Sequence, residues 1–470
     1  GEGEARAPDD RVERLRRPVA ARLPEELPRV VAGLPASIRS EVKAHLDRML
    51  LHEGLVDLNV PGRAEPVKID FSQFAVRGAY AENDLAGYFL AMGWLGSIPL
   101  PMDPSLRDLV ATLRTLSIEP DPPTQPWEDE APPRAATGLE LWRRADAVVG
   151  SFMGRPVDAT LDQLAQELDR MPGFDARELE RRLLARRGEV PIRDADNRDR
   201  ALFVTVFPRR LGLDVTFFRA LTHPAVPGRG MPSALDVFAA LGDARAREHA
   251  VAAAGASHRR YQAALDALAE KTRAGGSLAG YASTDLYHGW LALLVAVATP
   301  PALPDGERLA FAKSLAWRDR QLYSALAGYT QLKHSAVLYA MQDMGVECDG
   351  DTSYLVAVEE PILPAVRGFV EPNVPLYEGL AALAREAYRR LFGDPEGPTA
   401  DRWADETVPR LNAMNFAREL AEIARAEVAG RPLTDEQARF VELVGGRLEA
   451  LTLGMGRSEY AFSTGGAGRE

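Results

Sequence analysis

The sequence predicts a mainly α protein: a large, irregular array of many helices, in one or two lobes, with few short strands. Three observations carry this. Apolar residues recur at spacings of three and four. Residues that cap helices stand repeatedly just before such stripes. Period-two alternation is scarce, and only Tyr354–Val358 reads as a strand. Ser37 is placed to cap a first helix whose face carries Val42, Leu46, Met49 and Leu50. Thr160 and Gln163 have capping-box spacing and precede Leu161, Leu164 and Leu168. Asp175 and Glu178 repeat that spacing after the breaker Pro172-Gly173. Tyr261, Leu265 and Leu268 lie at helical offsets. Leu380, Leu383, Ala384, Ala387 and Leu391 form a further stripe that stops at Gly393-Asp394-Pro395. Thr434-Asp435-Glu436-Gln437 starts a last helix, backed by Phe440, Val441, Val444 and Leu448.

Two breaks interrupt the helices. Residues 118–136 (IEPDPPTQPWEDEAPPRAA) are rich in proline and acid and read as a linker or a surface loop. They divide the chain into a helical lobe over 1–117 and a main helical domain over 137–470. Residues 222–233 (THPAVPGRGMPS) read as a long loop, which in a compact protein is functional or mobile. No internal repeat or heptad seam supports a solenoid.

Composition excludes several function classes. The formal charge of −12 argues against a general nucleic-acid binder, which needs clustered Lys and Arg. A hydrophobic content of 46% argues against a disordered chain. A single cysteine, Cys348, rules out an intramolecular disulfide framework and a cysteine-based zinc site. The longest uncharged apolar stretch, Trp290–Leu303, falls short of the roughly 18–20 residues of a membrane span and contains Pro300-Pro301. A start at Gly1 reads as a processed product or a fragment, and a removed signal peptide or lipid anchor is compatible with it.

The chemical motifs are few. No HExxH is present. His45 and His52, and His249 and His258, are near enough in sequence to share a helix face, but no acidic ligand pattern accompanies either pair. We therefore expect no metal and no cofactor. Asp349-Gly350-Asp351 lacks the downstream glutamate of a calcium loop. There is no GxSxG nucleophile elbow. Cys348 lies between Glu347 and Asp349, which disfavour a thiolate. Gly228-Arg229-Gly230 is not a phosphate cradle. Arg181, Arg182, Arg186 and Arg187 interleave with Glu178, Glu180 and Glu189 and read as a solvated, salt-bridged face. The densest cluster of unusual residues is 313–343 (KSLAWRDRQLYSALAGYTQLKHSAVLYAMQD). As a helix it puts His334 on a face with Thr330, Leu338 and Met341, where a core histidine is favoured over a catalytic one. Trp317, Arg318 and Asp319 precede it by about four turns. Arg318 and Asp319, being adjacent, must find partners in other segments.

This cluster is similar to a segment of a family of uncharacterised bacterial and archaeal proteins, domain of unknown function 3160. The family's W-x-D-K-x-L-x-T-x-L-G-S-W-x-E-L-R-H-D-T-I-L-Y-x-K-Q is matched by Trp317, Asp319, Leu322, Leu326, Gly328, Leu332, His334, Leu338, Tyr339 and Gln342. Residues 70–96 (DFSQFAVRGAYAENDLAGYFLAMGWLG) resemble its D-Y-S-Q-F-x-P-R-G-H-Y-T block. Gly230-Met231-Pro232 with 235–242 (LDVFAALG), Gly368–Asn373, and Ala429-Gly430 with Leu433–Glu436 follow in the family's order. The resemblance implies export, often as a lipoprotein, and no established activity. Two departures weaken an enzyme reading of this chain: they impair it if the family uses these groups for acid–base or metal chemistry, and are tolerable if the segment is structural. The family's E-L-R-H-D-T is Gln331-Leu332-Lys333-His334-Ser335-Ala336, and the histidine of R-G-H-Y is Ala79.

The first expectation is an exported, extracytoplasmic, non-catalytic helical protein. It would bind a protein partner or an extracellular peptide or glycan, as an envelope or surface-assembly subunit. The alternative is an extracytoplasmic hydrolase with His334, Asp319 and Glu371 as its catalytic groups. Arg77, Tyr80, Arg229, Arg318 and Lys333 are the ligand-binding candidates. Catalysis would require the acid–base groups to converge within hydrogen-bond reach around one cleft.

Overall fold

The computed structural model describes residues 35–63, 66–82, 85–118, 136–186, 204–255, 258–274, 284–300, 307–340, 368–392 and 404–453. Within them the chain is mainly α, with short strands. Cys348, Asp349-Gly350-Asp351, Met341, Gln342 and the strand expected at Tyr354–Val358 lie outside the described residues. Two compact units are formed. The first takes the chain up to Thr216 together with Gln331–Gln342; the second takes Phe217–Thr330 and the chain from Asp343 onward.

In the first unit, α1 (Ala36–Leu51) follows Pro35, whose extended backbone precedes the first turn without a side-chain cap. Ser37 therefore lies inside the helix and not at its cap. The buried face is also rotated from the expected one. His45 and Met49 are buried whereas Leu46 is exposed. The cause is tertiary: His45 packs between the rings of Phe71 and Trp94, at 6.3 and 6.4 Å between centroids. β1 (Leu55–Leu58) and β2 (Val67–Asp70) pair antiparallel, from Leu55 opposite Asp70 to Leu58 opposite Val67. Val67 and Ile69 point inward and Lys68 outward, as strand alternation requires. A 3-10 turn (Phe71–Phe74), α2 (Ala79–Glu82) and α3 (Ala86–Ser97) follow.

α4 (Ser105–Thr115), β3 (Ser117–Ile118), β4 (Ala136–Thr137) and α5 (Gly138–Met153) correct the expected domain division. β3 pairs with β4. Leu106 and Val110 of α4 share one core with Leu139 and Trp142 of α5. The proline-rich stretch is thus flanked by paired strands and is not a boundary between lobes; 119–135 lie outside the described residues. α6 (Leu161–Asp169) and α7 (Ala176–Arg186) add Leu164, Leu168, Leu179 and Leu183 to that core. Each such side chain contributes about 1.5–3 kcal/mol of burial. The Thr160–Gln163 capping box forms, and Asp175 accepts from the backbone N–H of Arg177 and Glu178. Arg181 and Arg182 donate to Glu178, as the expected salt-bridged face requires, whereas Arg186 reaches the buried Glu167 of α6 at 3.3 Å, and Arg187 and Glu189 lie outside the described residues. The buried Arg210 bonds Asp146 and the Gly154 carbonyl, while its backbone N–H donates to Tyr339 O at 2.7 Å.

α8 (Leu213–Leu221) carries the chain into the second unit. There α9 (Ala234–Ala240), α10 (Ala244–Ala253) and α11 (His258–Ala274) pack together, burying Val237, Phe238, Tyr261 and Leu265. His249 and His258 fall on different helices and share no face. α12 (Leu286–Ala298) is apolar and is capped by Asp285, which accepts from the His288 backbone N–H at 2.9 Å. A 3-10 helix (Glu307–Lys313) leads into α13 (Leu315–Ala336). α13 stops before Leu338, so the expected His334–Leu338 helical face is not made. α14 (Val374–Phe392) and α15 (Ala404–Val428) pack along each other, and α12 packs on α14. α12 lies so close to α13 and α14 that a Cβ on Gly328 or Gly379 would stand 2.5 or 2.3 Å from Leu294 or Leu293. The expected last helix is two, α16 (Asp435–Glu442) and α17 (Val444–Leu453), broken at Leu443; the Thr434–Gln437 capping box opens the first. No helix among the described residues is long and apolar enough to cross a membrane.

Candidate ligand-binding site

In the first unit the site starts from a capped turn. Asp70 Oδ1 accepts from the Ser72 backbone N–H at 3.0 Å and from Ser72 Oγ at 2.7 Å. The 3-10 turn buries Phe71 and Phe74 and delivers the chain to Arg77-Gly78. Gly78 has φ +65°, and a Cβ there would stand 2.4 Å from the His334 carbonyl oxygen. Both the left-handed backbone and the close approach require glycine. The Arg77-Gly78 segment therefore lies directly on the last turn of α13 at His334, and Tyr80 packs in one cluster with Val337, Leu338 and Tyr339.

A layer of aromatic rings supports this arrangement. Tyr80 lies 5.4 Å from Phe89 and stacks on Tyr88 at 6.3 Å. Val76, Met92, Val337, Leu338 and Tyr339 complete the packing. The Tyr88 and Tyr339 hydroxyls are hydrogen-bonded to each other. Burial, with a smaller contribution from Tyr88, pushes the Tyr80 phenol up to about 12. Burial and then the Tyr88 hydrogen bond push Tyr339 up as well. Both phenols are protonated at neutral pH, as an unshifted tyrosine also is.

The cations have defined partners. Lys333 Nζ donates to Asp214 Oδ2 at 2.9 Å, and Asp214 is fully buried on α8. Arg209 Nη2 donates to Ser97 Oγ at 3.1 Å. Burial, and then the charge of Arg77, lower Arg209 to about 10, with Asp70 opposing. His334 is half-buried. Guanidinium, ammonium and phenol groups are thus gathered in this part of the unit together with the carboxylates of Asp70 and Asp214.

The other sequence-predicted residues lie in the second unit and have partners of their own. Arg229 donates to both oxygens of Asp236 at 2.9 and 2.8 Å and to the Leu221 carbonyl at 2.7 Å. Its guanidinium also lies 4.4 Å from the centre of the Tyr261 ring. Arg229 is thus a clamp on its own loop. Asp319 is bound in a fork by Arg245, with 2.9 Å from Nη2 to Oδ2, and His249 Nε2 stands 3.2 Å from Oδ1. Glu371 accepts from Arg320 at 2.8 Å and from Gln321 at 3.0 Å. Arg318 is exposed. Asp319 and Glu371 are therefore ion-pair members in the second unit, whereas His334 belongs to the first, about four turns further along α13. Among the described residues, no group of three or more His, Cys, Asp or Glu side chains could hold a metal ion.

A family model described as "Protein of unknown function (DUF3160)" matches residues 14–464, nearly the whole chain. The chain belongs to the DUF3160 family. No curated protein and no solved structure matches it. In this DUF3160 chain, two blocks of the sequence resemblance, 70–96 and Trp317–Gln342, become neighbours through Gly78. The second of them also meets the Gly368–Asn373 block, through Arg320 and Gln321 on Glu371. Sequence reasoning did not find Asp214, Arg209 or Tyr88 as parts of the site. Their only local signal is polarity within apolar runs, as in Leu213-Asp214-Val215. Asp236 was readable, because Ser233 and Asp236 have capping-box spacing.

Proposed function

We propose that this protein is a non-catalytic binding protein acting outside the cytoplasm, where it holds a ligand or a protein partner as a subunit of an envelope or surface assembly. One observation carries the reading. The carboxylates expected to do acid–base chemistry with His334, Asp319 and Glu371, are hydrogen-bonded to arginines elsewhere, and the segments that meet at Gly78 carry guanidinium, ammonium and phenol donors. Donors fixed by packing recognise a ligand; hydrolysis needs a positioned base or nucleophile in addition. Export is supported by the family resemblance and by a single cysteine in 470 residues.

The test has two arms. Purified protein and the His334→Ala variant are assayed on chromogenic esters, phosphoesters and glycosides. Equal background rates are expected, and a turnover lost in His334→Ala overturns the binding reading. Native mass spectrometry of protein purified under mild conditions is expected to show a bound species that Arg77→Ala loses. Fractionation of the source cells tests location, and recovery in the cytoplasm would refute that part.

A further inference from the structure

In the first unit, α1 is held down by a titratable side chain. Among the described residues of this helix, His45 and Met49 alone are buried, at 7% and 4% exposure. The helix starts after Pro35 without a side-chain cap, so the packing of this short face is what fixes it. Such a face is ordinarily filled by aliphatic residues. Here an imidazole takes that place, against the rings of Phe71 and Trp94.

The surroundings favour the neutral imidazole. The 3-10 turn and α3 contain no Asp, Glu, Lys or Arg, and the one titratable side chain of α3, Tyr88, is bonded to Tyr339. On the strand pair, Asp57 and Lys68 are exposed and Asp70 is engaged by Ser72. Of the acids on and just after α1, Asp47 takes Lys43 and Glu53 takes Arg48. The ring centroids, at 6.3 and 6.4 Å with planes tilted by 50°, stand outside the roughly 6 Å at which a ring face supports a cation. Burial therefore holds His45 below its ordinary value; Glu41 opposes this and Arg48 adds to it.

We propose that α1 is a pH-operated latch, seated on Phe71 and Trp94 while His45 is neutral and released, uncovering both rings, when His45 is protonated. The sign follows from linkage. Docking has its full strength above the value of a released histidine, about 6.5. It weakens as pH falls below that, because the released helix takes up a proton that the docked one refuses. His52, exposed at the C-cap of α1, acts with the opposite sign, since its charging favours that helix end. The seating of α1 is independent of whether a ligand binds near Gly78.

Hydrogen exchange of the full chain, read by mass spectrometry from pH 7.5 to pH 5.5 and corrected for the intrinsic rate, tests the latch. Protection of the α1 amides is expected to fall by up to about tenfold at one unit below the ordinary histidine value, while α6 in the same unit keeps its protection. His45→Leu and His45→Gln, neither of which takes up a proton, are expected to show no such fall. Protection of α6 at pH 7.5 shows that each variant is folded, and two variants of different character keep one repacked face from deciding the outcome. The proposal is overturned by a fall of less than about twofold in the parent, by an equal fall in either folded variant, or by a parallel loss in α6, which would mean that acid unfolds the whole unit.

Discussion

Two arginine–carboxylate pairs of the second unit, Arg229–Asp236 and Arg245–Asp319, look alike in sequence terms and differ in what surrounds them. Asp236 is 0% exposed and receives Arg229 twice, the Ser233 backbone N–H at 2.8 Å and the Tyr261 hydroxyl at 2.6 Å. Asp319 is 28% exposed and receives Arg245 and His249 near solvent. Both pairs are geometrically good forks. The difference is dielectric. A buried charge must be compensated almost completely, and its loss leaves the partner stranded. A charge near water is screened and replaceable. An arginine in a glycine-rich loop is therefore not by itself a ligand-binding sign; Arg229 serves its own fold.

The comparison can be broken most sharply at Asp236. Asp236→Ala is expected to destabilise by about 3–5 kcal/mol, since it strands the Arg229 guanidinium and two further donors. Urea denaturation measures this, and a loss below about 1 kcal/mol would dissolve the distinction between the pairs. Tyr261→Phe removes one donor to the same carboxylate and is expected to cost about 1.5–3 kcal/mol in the same assay. Burial and the Asp236 hydrogen bond both raise the Tyr261 phenol, so no alkaline loss of this bond is expected below pH 10. Glu371→Ala falls between the two environments. Glu371 is mostly buried and its partner Arg320 is half exposed, but Gln321 is buried and would lose the acceptor for its amide. About 1–2 kcal/mol is expected, with most of it restored in Glu371→Gln.

The sequence made local features legible and distant ones not. The boxes at Thr160–Gln163 and Thr434–Gln437 were readable because a cap involves residues three apart. The arginine-rich face of α7 was readable because its acids are interleaved with it. The buried face of α1 was not, because Phe71 and Trp94 decide which side of the helix turns inward. The domain division failed for a related reason. Proline and acid over 118–136 signal an irregular backbone, but whether the flanking segments pair depends on Leu106 and Val110 finding Leu139 and Trp142. In the candidate site, Arg77, Tyr80, Lys333 and His334 were each singled out, whereas the meeting of their two segments depends on one close contact at Gly78 across about 250 positions. That Asp319 must find its partner in another segment was readable, but nothing local names Arg245 as that partner or joins Glu371 to Arg320, since both partners are distant in sequence.

The smallest effect tests the exposed pair. Hydrogen bonds from Arg245 and then from His249 hold Asp319 down at about 2, against roughly 3.9 for an unfolded aspartate. A carboxylate whose folded value is depressed stabilises the fold above its unfolded value. That stabilisation fades as pH falls through the folded one. The window for Asp319 therefore runs from about pH 4 down to about pH 2. Asp319→Asn is expected to leave the thermal midpoint close to that of the parent at pH 7, where screening makes the pair weak. Below pH 4 the two curves should converge, because the parent is then losing the charge that the variant never had. Thermal melts of both proteins across this range decide the matter. A large loss at pH 7 that Arg245→Gln reproduces would place Asp319 with Asp236 among the residues that hold the fold.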